Sequence, residues 1–387
     1  MKVMMLLSRV PYPLEKGDKL RAFNQLKVLS KHHEVILVCL NDQKTDPNAI
    51  ENLKPYCSDI YVIPLYKHLI IWNLIKGMFN DKPFQVNYFY QKQAQKQLNK
   101  IVENHLPAHI YVQLIRTAEY AKKYSFIPNT LDYMDAFSKG IERRIKLSIP
   151  GIRRIFIEEA RRLKHYEAGI FKYFDYKTII SEQDRELIEH PDHSEIVIIR
   201  NGVDFEFFTP KRTTKKFDVV FTGNMAYPPN VQAAIYLEKE IMPLVRKEQP
   251  TASLLIAGAS PVPKVKALSN SLTTVTGWVE DIRDAYNESR IFVAPMQIGT
   301  GLQNKLLEAM SMEIPCVTSP LANKALKATP GKHLLIGNSA DEYAKHILQL
   351  FNNESLSEQF STEGKIYVQD NFNWESNCSL LLQQIKS

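Results

Sequence analysis

Residues Arg290 to Ser319 decide the fold, and they read RIFVAPMQIGTGLQNKLLEAMSMEIPCVTS. The apolar run from Ile291 to Pro295 predicts a short buried strand of a parallel sheet. Gly299-Thr300-Gly301 interrupts this strand, helix-forming residues occupy Leu302 to Met312, and Pro315 to Ser319 predicts the next strand. The stretch therefore predicts a strand, a glycine loop, a helix and a second strand, which is the repeating unit of an α/β sheet.

The helix that follows Gly301 predicts an anion-binding site at its start. The first N–H groups of a helix have no intrahelical partner and carry partial positive charge. Lys305 and Glu308 are three residues apart, so they share one face of the helix near this end. Because the ammonium group suits a phosphate and the carboxylate suits a sugar hydroxyl, the segment indicates a site for a nucleotide sugar.

The same segment resembles the donor-site motif of the family-4 retaining glycosyltransferases, which have the GT-B fold. These enzymes usually carry two glutamates separated by seven residues; Glu308 matches the second, and Thr300 occupies the position of the first. The resemblance implies that Glu308 binds the donor ribose and that position 300 lies beside the donor sugar and the reacting centre. The pattern G-T-G-x-x-x-K-x-L-E is similar to that of a subgroup of bacterial polysaccharide and exosortase-associated sugar transferases.

Composition sets limits on the class of protein. A chain of 387 residues is too long for one hydrophobic core, and 44% hydrophobic with 24% charged residues is typical of a globular protein. No run of eighteen apolar residues predicts a membrane span, and the four cysteines show no metal-type pairing. No nucleic-acid-binding motif accompanies the net charge of +7. We expect a cytoplasmic protein that does not bind nucleic acid.

Strand and helix patterns alternate in both halves of the chain and predict parallel sheets. The predicted strands are residues 3–7, 34–40, 59–64, 110–114, 129–133, 177–181 and 196–200, then 218–222, 252–257, 273–276, 291–295 and 315–318. We expect an α/β protein of two Rossmann-like, doubly wound domains, which the GT-B resemblance implies face each other across a cleft. Residues 1–205 are predicted to bind the acceptor and 206–371 the nucleotide-sugar donor, and the resemblance implies that a last helix in 372–387 packs back on the first domain.

The loop after the strand at 218–222 is predicted to approach the donor diphosphate. Gly223 allows close approach of the backbone, and Asn230 is a candidate N-cap of the next helix. The family usually places an arginine and a lysine on this loop, where this chain has Asn224 or Met225 and Pro229 or Asn230. Lys305 is therefore expected to supply more of the positive charge, although an ordinary strand-to-helix turn is the open alternative.

The turn Gly277-Trp278-Val279 resembles the family's loop that holds the nucleobase. The resemblance implies that Trp278 or Val279 packs on the face of the base, while simple packing of the tryptophan in the core or at its rim is the open alternative. The full set of predicted donor-binding residues is Gly17, Gly223, Asn224, Met225, Asn230, Gly277, Trp278, Val279, Gly299, Thr300, Gly301, Asn304, Lys305 and Glu308.

The predicted acceptor side follows the first-domain strands. Gly17 lies in a loop that resembles the family's glycine loop over the reacting centre, and Asp135 occupies the place of a histidine that lies near the donor sugar in many members. The predicted acceptor-binding residues are Asp18, Arg21, Arg116, Tyr120 and Asp132, and the predicted catalytic residues are Asp135, Thr300, Lys305 and Glu308. A solvated turn around Asp18 and strand-end capping by the two aspartates are the open alternatives.

Asp132 and Asp135 do not form the Asp-x-Asp motif of metal-dependent sugar transferases, so we expect neither a metal nor a cofactor beyond the UDP- or GDP-type donor. The resemblance implies transfer with retention, by a front-face displacement in which the leaving diphosphate takes the acceptor proton. An epimerase acting on a nucleotide sugar and a degenerate nucleotide-sugar-binding subunit remain alternative functions.

Two segments combine basic residues with apolar ones, namely Arg143 to His165 and Leu65 to Phe79. Surfaces of this type rest on anionic membranes or hold a lipid-pyrophosphate-linked acceptor, while a solvated charged helix face and a packed helix are the open alternative. The expected partners are a nucleotide-sugar donor, a glycan or lipid-pyrophosphate-linked acceptor, and peripheral contact with the inner face of an anionic membrane.

Overall fold

The computed structural model describes residues 1–14, 16–145, 150–211, 213–298 and 302–386. The chain divides into two compact units. The N-terminal unit contains Met1–Arg200 and the segment from Trp374 onward, and the C-terminal unit contains Asn201–Asn373.

The N-terminal unit is built on a seven-stranded parallel sheet in the order β3-β2-β1-β4-β5-β6-β7. Its strands are β1 (Lys2–Leu7), β2 (Glu34–Asn41), β3 (Asp59–Pro64), β4 (His109–Gln113), β5 (Asn129–Met134), β6 (Tyr176–Ile179) and β7 (Val197–Ile198). Successive side chains of β1 enter different clusters, because side chains alternate across a strand: Met4 and Leu6 pack on one face, and Val3 and Met5 on the other. Both faces of this sheet are therefore covered, as the apolar runs predict.

The C-terminal unit is built on a six-stranded parallel sheet in the order β10-β9-β8-β11-β12-β13. Its strands are β8 (Phe217–Thr222), β9 (Leu254–Ala257), β10 (Thr273–Gly277), β11 (Ser289–Ala294), β12 (Cys316–Thr318) and β13 (Leu335–Ile336). A single large cluster of buried apolar side chains fills this unit.

Helices cover the sheets of both units. The first nine are α1 (Gly17–Ser30), α2 (Ala49–Leu53), α3 (Lys67–Gly77), α4 (Phe84–Phe89), α5 (Lys92–His105), α6 (Ala118–Ala121), α7 (Phe137–Ile145), α8 (Pro150–Ile170) and α9 (Glu182–Arg185). The C-terminal unit has α10 (Pro228–Tyr236), α11 (Met242–Glu248), α12 (Pro263–Lys266), α13 (Ile282–Asn287), α14 (Asn304–Ser311), α15 (Pro320–Leu326), α16 (Ala340–Asn352) and α17 (Glu354–Asn371), and it includes a π-helix at Leu237–Ile241. The chain ends with α18 (Trp374–Asn377) and α19 (Ser379–Lys386), which place Trp374 and Leu381 in the same buried cluster as Val3 of β1.

The predicted fold class, two doubly wound parallel sheets with helices, is confirmed by this topology. The twelve predicted strands correspond to β1–β12, and their ends differ by at most two residues. β13 was not predicted, because two residues at the edge of the sheet are too few to form a recognisable pattern. Of the helices in the described ranges, none is long and apolar enough to cross a membrane.

Candidate active site

The predicted donor residues of the C-terminal unit follow the carboxyl ends of β8, β10 and β11, and open α/β sheets bind their ligands at this end of the strands. Backbone hydrogen bonds join the carboxyl ends of β8, β9 and β10. The amide of Gly223 donates to the carbonyl of Ala257 at 3.0 Å, and the amide of Gly258 donates to the carbonyl of Gly277 at 3.0 Å. The loops that follow the three strands therefore form one connected backbone surface.

Two glycines are required at this surface. Gly258 has φ +139°, and a Cβ there would lie 1.9 Å from the carbonyl oxygen of Gly223. Gly223 has φ +148°, and a Cβ there would lie 2.7 Å from Nδ2 of Asn230 and 2.9 Å from Nζ of Lys305. The missing side chain at position 223 thus leaves room for the ammonium group. Gly258 was not among the predicted site residues, although a glycine directly after a predicted strand indicates a special backbone position.

Lys305 lies in the first turn of α14 and is buried. Its Nζ donates to Oδ1 of Asn230 and lies 4.6 Å from the centre of the Phe221 ring. Burial lowers the pKa of Lys305 to about 7, although the nearby Glu308 acts in the opposite direction. An anion placed beside this ammonium group would favour its charged form.

Asn230 has a different role from the one predicted. The helix α10 begins at Pro228, Tyr227 occupies the N-cap position, and Asn230 lies inside the first turn. Proline is favoured at the start of a helix because no intrahelical partner is needed for its missing N–H, so the proline pair sets the boundary. The Asn230 side chain instead donates from Nδ2 to the carbonyl of Asn224 at 2.9 Å and accepts from Lys305, so it positions the lysine.

Glu308 lies one turn further along α14 and is half-buried. Its Oε2 accepts a hydrogen bond of 2.8 Å from the hydroxyl of Tyr286, and this hydroxyl lies 2.8 Å from Oγ1 of Thr222 at the end of β8. Burial raises the pKa of Glu308, while the Tyr286 hydrogen bond and Lys305 oppose the rise. Tyr286 was not predicted as a site residue, because no motif around this tyrosine of the short helix α13 indicates a contact with Glu308.

The predicted nucleobase loop, residues 277–279, has a glycine in a left-handed conformation and an exposed aromatic side chain. Gly277 has φ +78°, Trp278 is 71% exposed, and Val279 is half-buried. Trp278 is therefore not part of the core, which excludes core packing but not packing at the rim. Asn224 is half-buried and its Oδ1 accepts from the amide of Ala226 at 2.9 Å.

The other predicted donor residues of the C-terminal unit differ in burial and position. Met225 is 1% exposed and packs in the C-terminal core, so the prediction that its side chain contacts the donor is corrected. Asn304 is the half-buried first residue of α14. The predicted loop residues Gly299, Thr300 and Gly301 lie outside the described residues.

In the N-terminal unit, Arg21 and Asp132 form a fully buried ion pair. Arg21 Nε donates to Asp132 Oδ2 at 2.6 Å and Nη2 donates to Oδ1 at 3.1 Å, while Nη1 donates to the carbonyl of Ile199 at 2.7 Å. The Tyr111 hydroxyl donates to the same carboxylate at 2.7 Å. Burial opposes ionisation of Asp132, but Arg21 and Tyr111 outweigh it and lower the pKa.

The predicted acceptor contacts of Arg21, Asp132 and Tyr120 are therefore corrected. None of the three side chains is exposed. The ion pair joins α1 to the sheet, and the Tyr120 hydroxyl donates to the carbonyl of Phe89 at 2.7 Å and accepts from the amide of Gln91 at 2.8 Å. Polar residues next to strand ends resembled ligand contacts in the sequence, but here they satisfy each other inside the protein.

Arg116 is half-buried among aromatic rings. Its Nε donates to Oε1 of Gln85 at 2.9 Å, and its guanidinium carbon lies 4.8 Å from the Phe137 ring centre and 5.6 Å from that of Phe89. Burial lowers the pKa of Arg116. Gln85 and the two phenylalanines, which the sequence analysis did not select, hold the guanidinium in a fixed orientation.

Arg116 belongs to a group of charged side chains that follow β1, β4 and β5. Nearby positive charge on Arg9 and Arg144 helps to lower its pKa, and Asp18 and Asp135 act in the opposite direction. Arg9 Nε lies 3.2 Å from Oδ2 of the half-buried Asp18. The exposed Gly17 begins α1 beside this aspartate, so the structure brings together Gly17, Asp18, Arg116 and Asp135 of the predicted set. Within the described ranges, no group of three or more His, Cys, Asp or Glu side chains is placed to hold a metal ion.

Comparison with known proteins gives a partial family match and a fold. Residues 216–353 match the family model described as "Glycosyl transferases group 1". The chain is 25% identical over 409 aligned positions to an uncharacterized 44.6 kDa protein in the cps region of Klebsiella pneumoniae, with 99% of each chain covered.

The structure is similar to sucrose-phosphate synthase from Thermosynechococcus elongatus, with a TM-score of 0.71, 13% identity, and 100% and 98% of the two chains covered. It is also similar to Anabaena HepE in complex with UDP and glucose, with a TM-score of 0.69, 12% identity and 99% of each chain covered. These similarities establish the GT-B fold, and the family match supports a group 1 glycosyltransferase.

Proposed function

We propose that this chain is a retaining glycosyltransferase of the family-4 type that transfers a sugar from a nucleotide-diphosphate sugar to a glycan or lipid-linked acceptor. One observation carries the proposal. The buried ammonium group of Lys305 lies beside the space that Gly223 leaves open, one helical turn before the half-buried carboxylate of Glu308. This part of the chain also lies within the residues that match the group 1 model.

In the proposed donor complex, Lys305 and the start of α14 bind the diphosphate, and Glu308 accepts hydrogen bonds from the ribose hydroxyls. The Tyr286 hydroxyl donates a 2.8 Å hydrogen bond to one oxygen of the Glu308 carboxylate and thereby orients this carboxylate. The exposed ring of Trp278 packs on the base. HepE, which shares this fold, was crystallised with UDP and glucose, so a UDP-type donor is the first to test and a GDP-type donor the second.

For the acceptor, we propose binding by the N-terminal unit at Gly17, Asp18, Arg116 and Asp135. Arg116 is suited to an anionic group on the acceptor, because its guanidinium is held by Gln85 and aromatic rings and not by a carboxylate hydrogen bond within the described ranges. The relative in a cps region supports a role in bacterial surface polysaccharide synthesis, at the cytoplasmic side of the membrane.

The proposed chemistry is a front-face displacement. The bond between the anomeric carbon and the leaving diphosphate oxygen breaks while the acceptor oxygen bonds the same face of that carbon, and the acceptor proton passes to the leaving diphosphate. The protein positions the two substrates and stabilises the leaving charge through Lys305 and the amide groups of α14. Because the lysine supplies this charge, we propose that the reaction proceeds without a metal ion or cofactor.

The test is nucleotide release and sugar transfer by the purified protein, with UDP- and GDP-sugars and with EDTA present. Glu308→Ala should abolish release, and Glu358→Ala, which changes an exposed glutamate of α17, should leave it unchanged. The anomeric proton coupling of the product should show the configuration of the donor. Nucleotide binding without any release would indicate the binding-subunit alternative, and an epimerised nucleotide sugar would indicate an epimerase.

A further inference from the structure

The outer face of α3 exposes large apolar side chains. Ile71, Trp72 and Ile75 lie on this face, and Met78 and Phe79 follow directly after the helix. Trp72 is 54% exposed and Phe79 is 86% exposed. Residues at this spacing share one side of a helix, so the exposed groups are continuous and not scattered. A continuous apolar face of this kind marks an interaction surface.

The first two turns of α8 are a second exposed part of this unit. Ile152, Ile155 and Ile157 are 44%, 55% and 50% exposed, and the exposed Arg153 and Arg154 lie between the first two of them. Exposed isoleucines next to arginines are suited to the boundary between lipid headgroups and acyl chains.

Hydrogen bonds join α8 to the C-terminal end of α3 and to the segment that follows it. Arg162 of α8 donates from Nη1 to the carbonyl of Gly77, the last residue of α3, and to the carbonyl of Lys82 at 3.2 Å. Glu159 of α8 accepts from the amide of Phe84 at 2.6 Å. The exposed residues of α3 and of α8, with Met78 and Phe79, therefore belong to one region of the N-terminal unit, which we call the α3–α8 surface.

The α3–α8 surface carries positive charge without acidic partners. Residues 65–80 contain two lysines and no acidic residue, and residues 143–157 contain five basic residues and no acidic residue. Four exposed basic side chains form no ion pair within the described ranges: Lys67, Lys76, Arg153 and Arg154. Further along α8, in contrast, Arg161 and Arg162 pair with Glu158. The positive charge is thus concentrated where the apolar side chains are exposed.

We propose that the α3–α8 surface binds an anionic lipid bilayer, with Trp72 and Phe79 at the headgroup boundary and the basic side chains at lipid phosphates. Its charge argues against a second copy of the chain as the occupant, because two such surfaces would repel each other. The inference extends the proposed function, since a lipid-linked acceptor would lie in this bilayer. It rests on the exposed side chains alone and is tested without any sugar donor.

The experiment is sedimentation of the full chain with vesicles of phosphatidylcholine alone, or of phosphatidylcholine mixed with an equal amount of phosphatidylglycerol. The protein should sediment with the mixed vesicles only, and added salt should weaken its binding. Arg153→Gln combined with Arg154→Gln should weaken the affinity about 30-fold, since each basic residue near an anionic surface contributes a factor of about five.

Trp72→Glu combined with Phe79→Glu should abolish sedimentation. Phe126→Glu is the matched control, because Phe126 is 77% exposed on the same unit but away from α3 and α8 in the chain. The melting temperature without vesicles should be equal in all variants, which shows that they are folded and keeps this test independent of the transferase activity.

Three results would overturn the inference. Equal binding to neutral vesicles would exclude charge recognition, and wild-type binding by the Trp72 and Phe79 variant would exclude this surface. A dimer in light scattering that the same variant dissociates, with no vesicle binding by the wild type, would assign the surface to self-association.

Discussion

Lys305 should take up a proton when a nucleoside diphosphate binds. Burial holds its pKa at about 7 in the free protein, against an ordinary value of 10.5. At pH 8 only about a tenth of the free protein therefore carries the charged ammonium group. A diphosphate beside Nζ favours the charged form, so binding would return the pKa toward its ordinary value and take up about 0.9 proton per ligand at this pH.

The sign of the pH dependence follows from this shift. At pH values between the Lys305 pKa of about 7 in the free protein and its higher pKa in the complex, the bound protein holds more protons than the free protein. The affinity for UDP should therefore fall about tenfold for each pH unit through this window. Below pH 7 the lysine is already charged, and its contribution to the pH dependence disappears.

Isothermal titration of UDP in two buffers of different ionisation enthalpy measures the proton uptake directly. The wild-type binding enthalpy should change with the buffer in proportion to the protons taken up. Lys305→Arg keeps a permanent charge and should bind UDP with an enthalpy that no longer depends on the buffer. A wild-type enthalpy that is the same in both buffers at pH 8 would refute the reasoning, as would a buffer dependence that persists in Lys305→Arg.

Three further outcomes are expected. UDP or GDP should raise the melting temperature in the presence of EDTA, because a ligand bound only by the folded state stabilises it, and Glu308→Ala should remove this shift in a thermal-shift assay. In urea titrations, Gly258→Ala should lower the free energy of unfolding by about 1–3 kcal/mol more than Gly331→Ala does. Both positions have positive φ, but only at Gly258 would the added Cβ lie against a carbonyl oxygen. Equal losses of stability in the two variants would contradict this contact. Asp132→Ala should lower the free energy of unfolding by about 3–5 kcal/mol because it removes the carboxylate that neutralises the buried Arg21, and a change within error in the same assay would contradict a buried pair.

The sequence predicted the architecture because parallel strands covered on both faces are short apolar runs, and each run in this chain is bounded by glycine, proline or polar residues. The helix that carries Lys305 and Glu308 was predictable for a similar reason, since three-residue spacing fixes two side chains on one face. Glycine positions were also informative where the backbone must adopt positive φ, as at Gly223.

The sequence could not show how distant polar residues satisfy one another. Arg21 and Asp132 are 111 residues apart in the chain, and each was predicted to bind the acceptor. In the structure they form a buried ion pair with each other. Tyr286 reaches Glu308 across 22 residues, and its role depends on where α13 lies relative to α14. Asn230 was predicted to cap α10, but this helix begins earlier, at a pair of prolines. The Asn230 side chain therefore lies inside the first turn, where it accepts a hydrogen bond from Lys305. Tertiary contacts of this kind leave no local pattern.

A crystal structure of the protein with UDP tests the central claim most directly. The account predicts the diphosphate within hydrogen-bonding distance of Lys305 Nζ and of the first amides of α14, with the ribose hydroxyls on Glu308. Electron density for UDP at any other place, or a ribose that does not touch Glu308, would contradict the account.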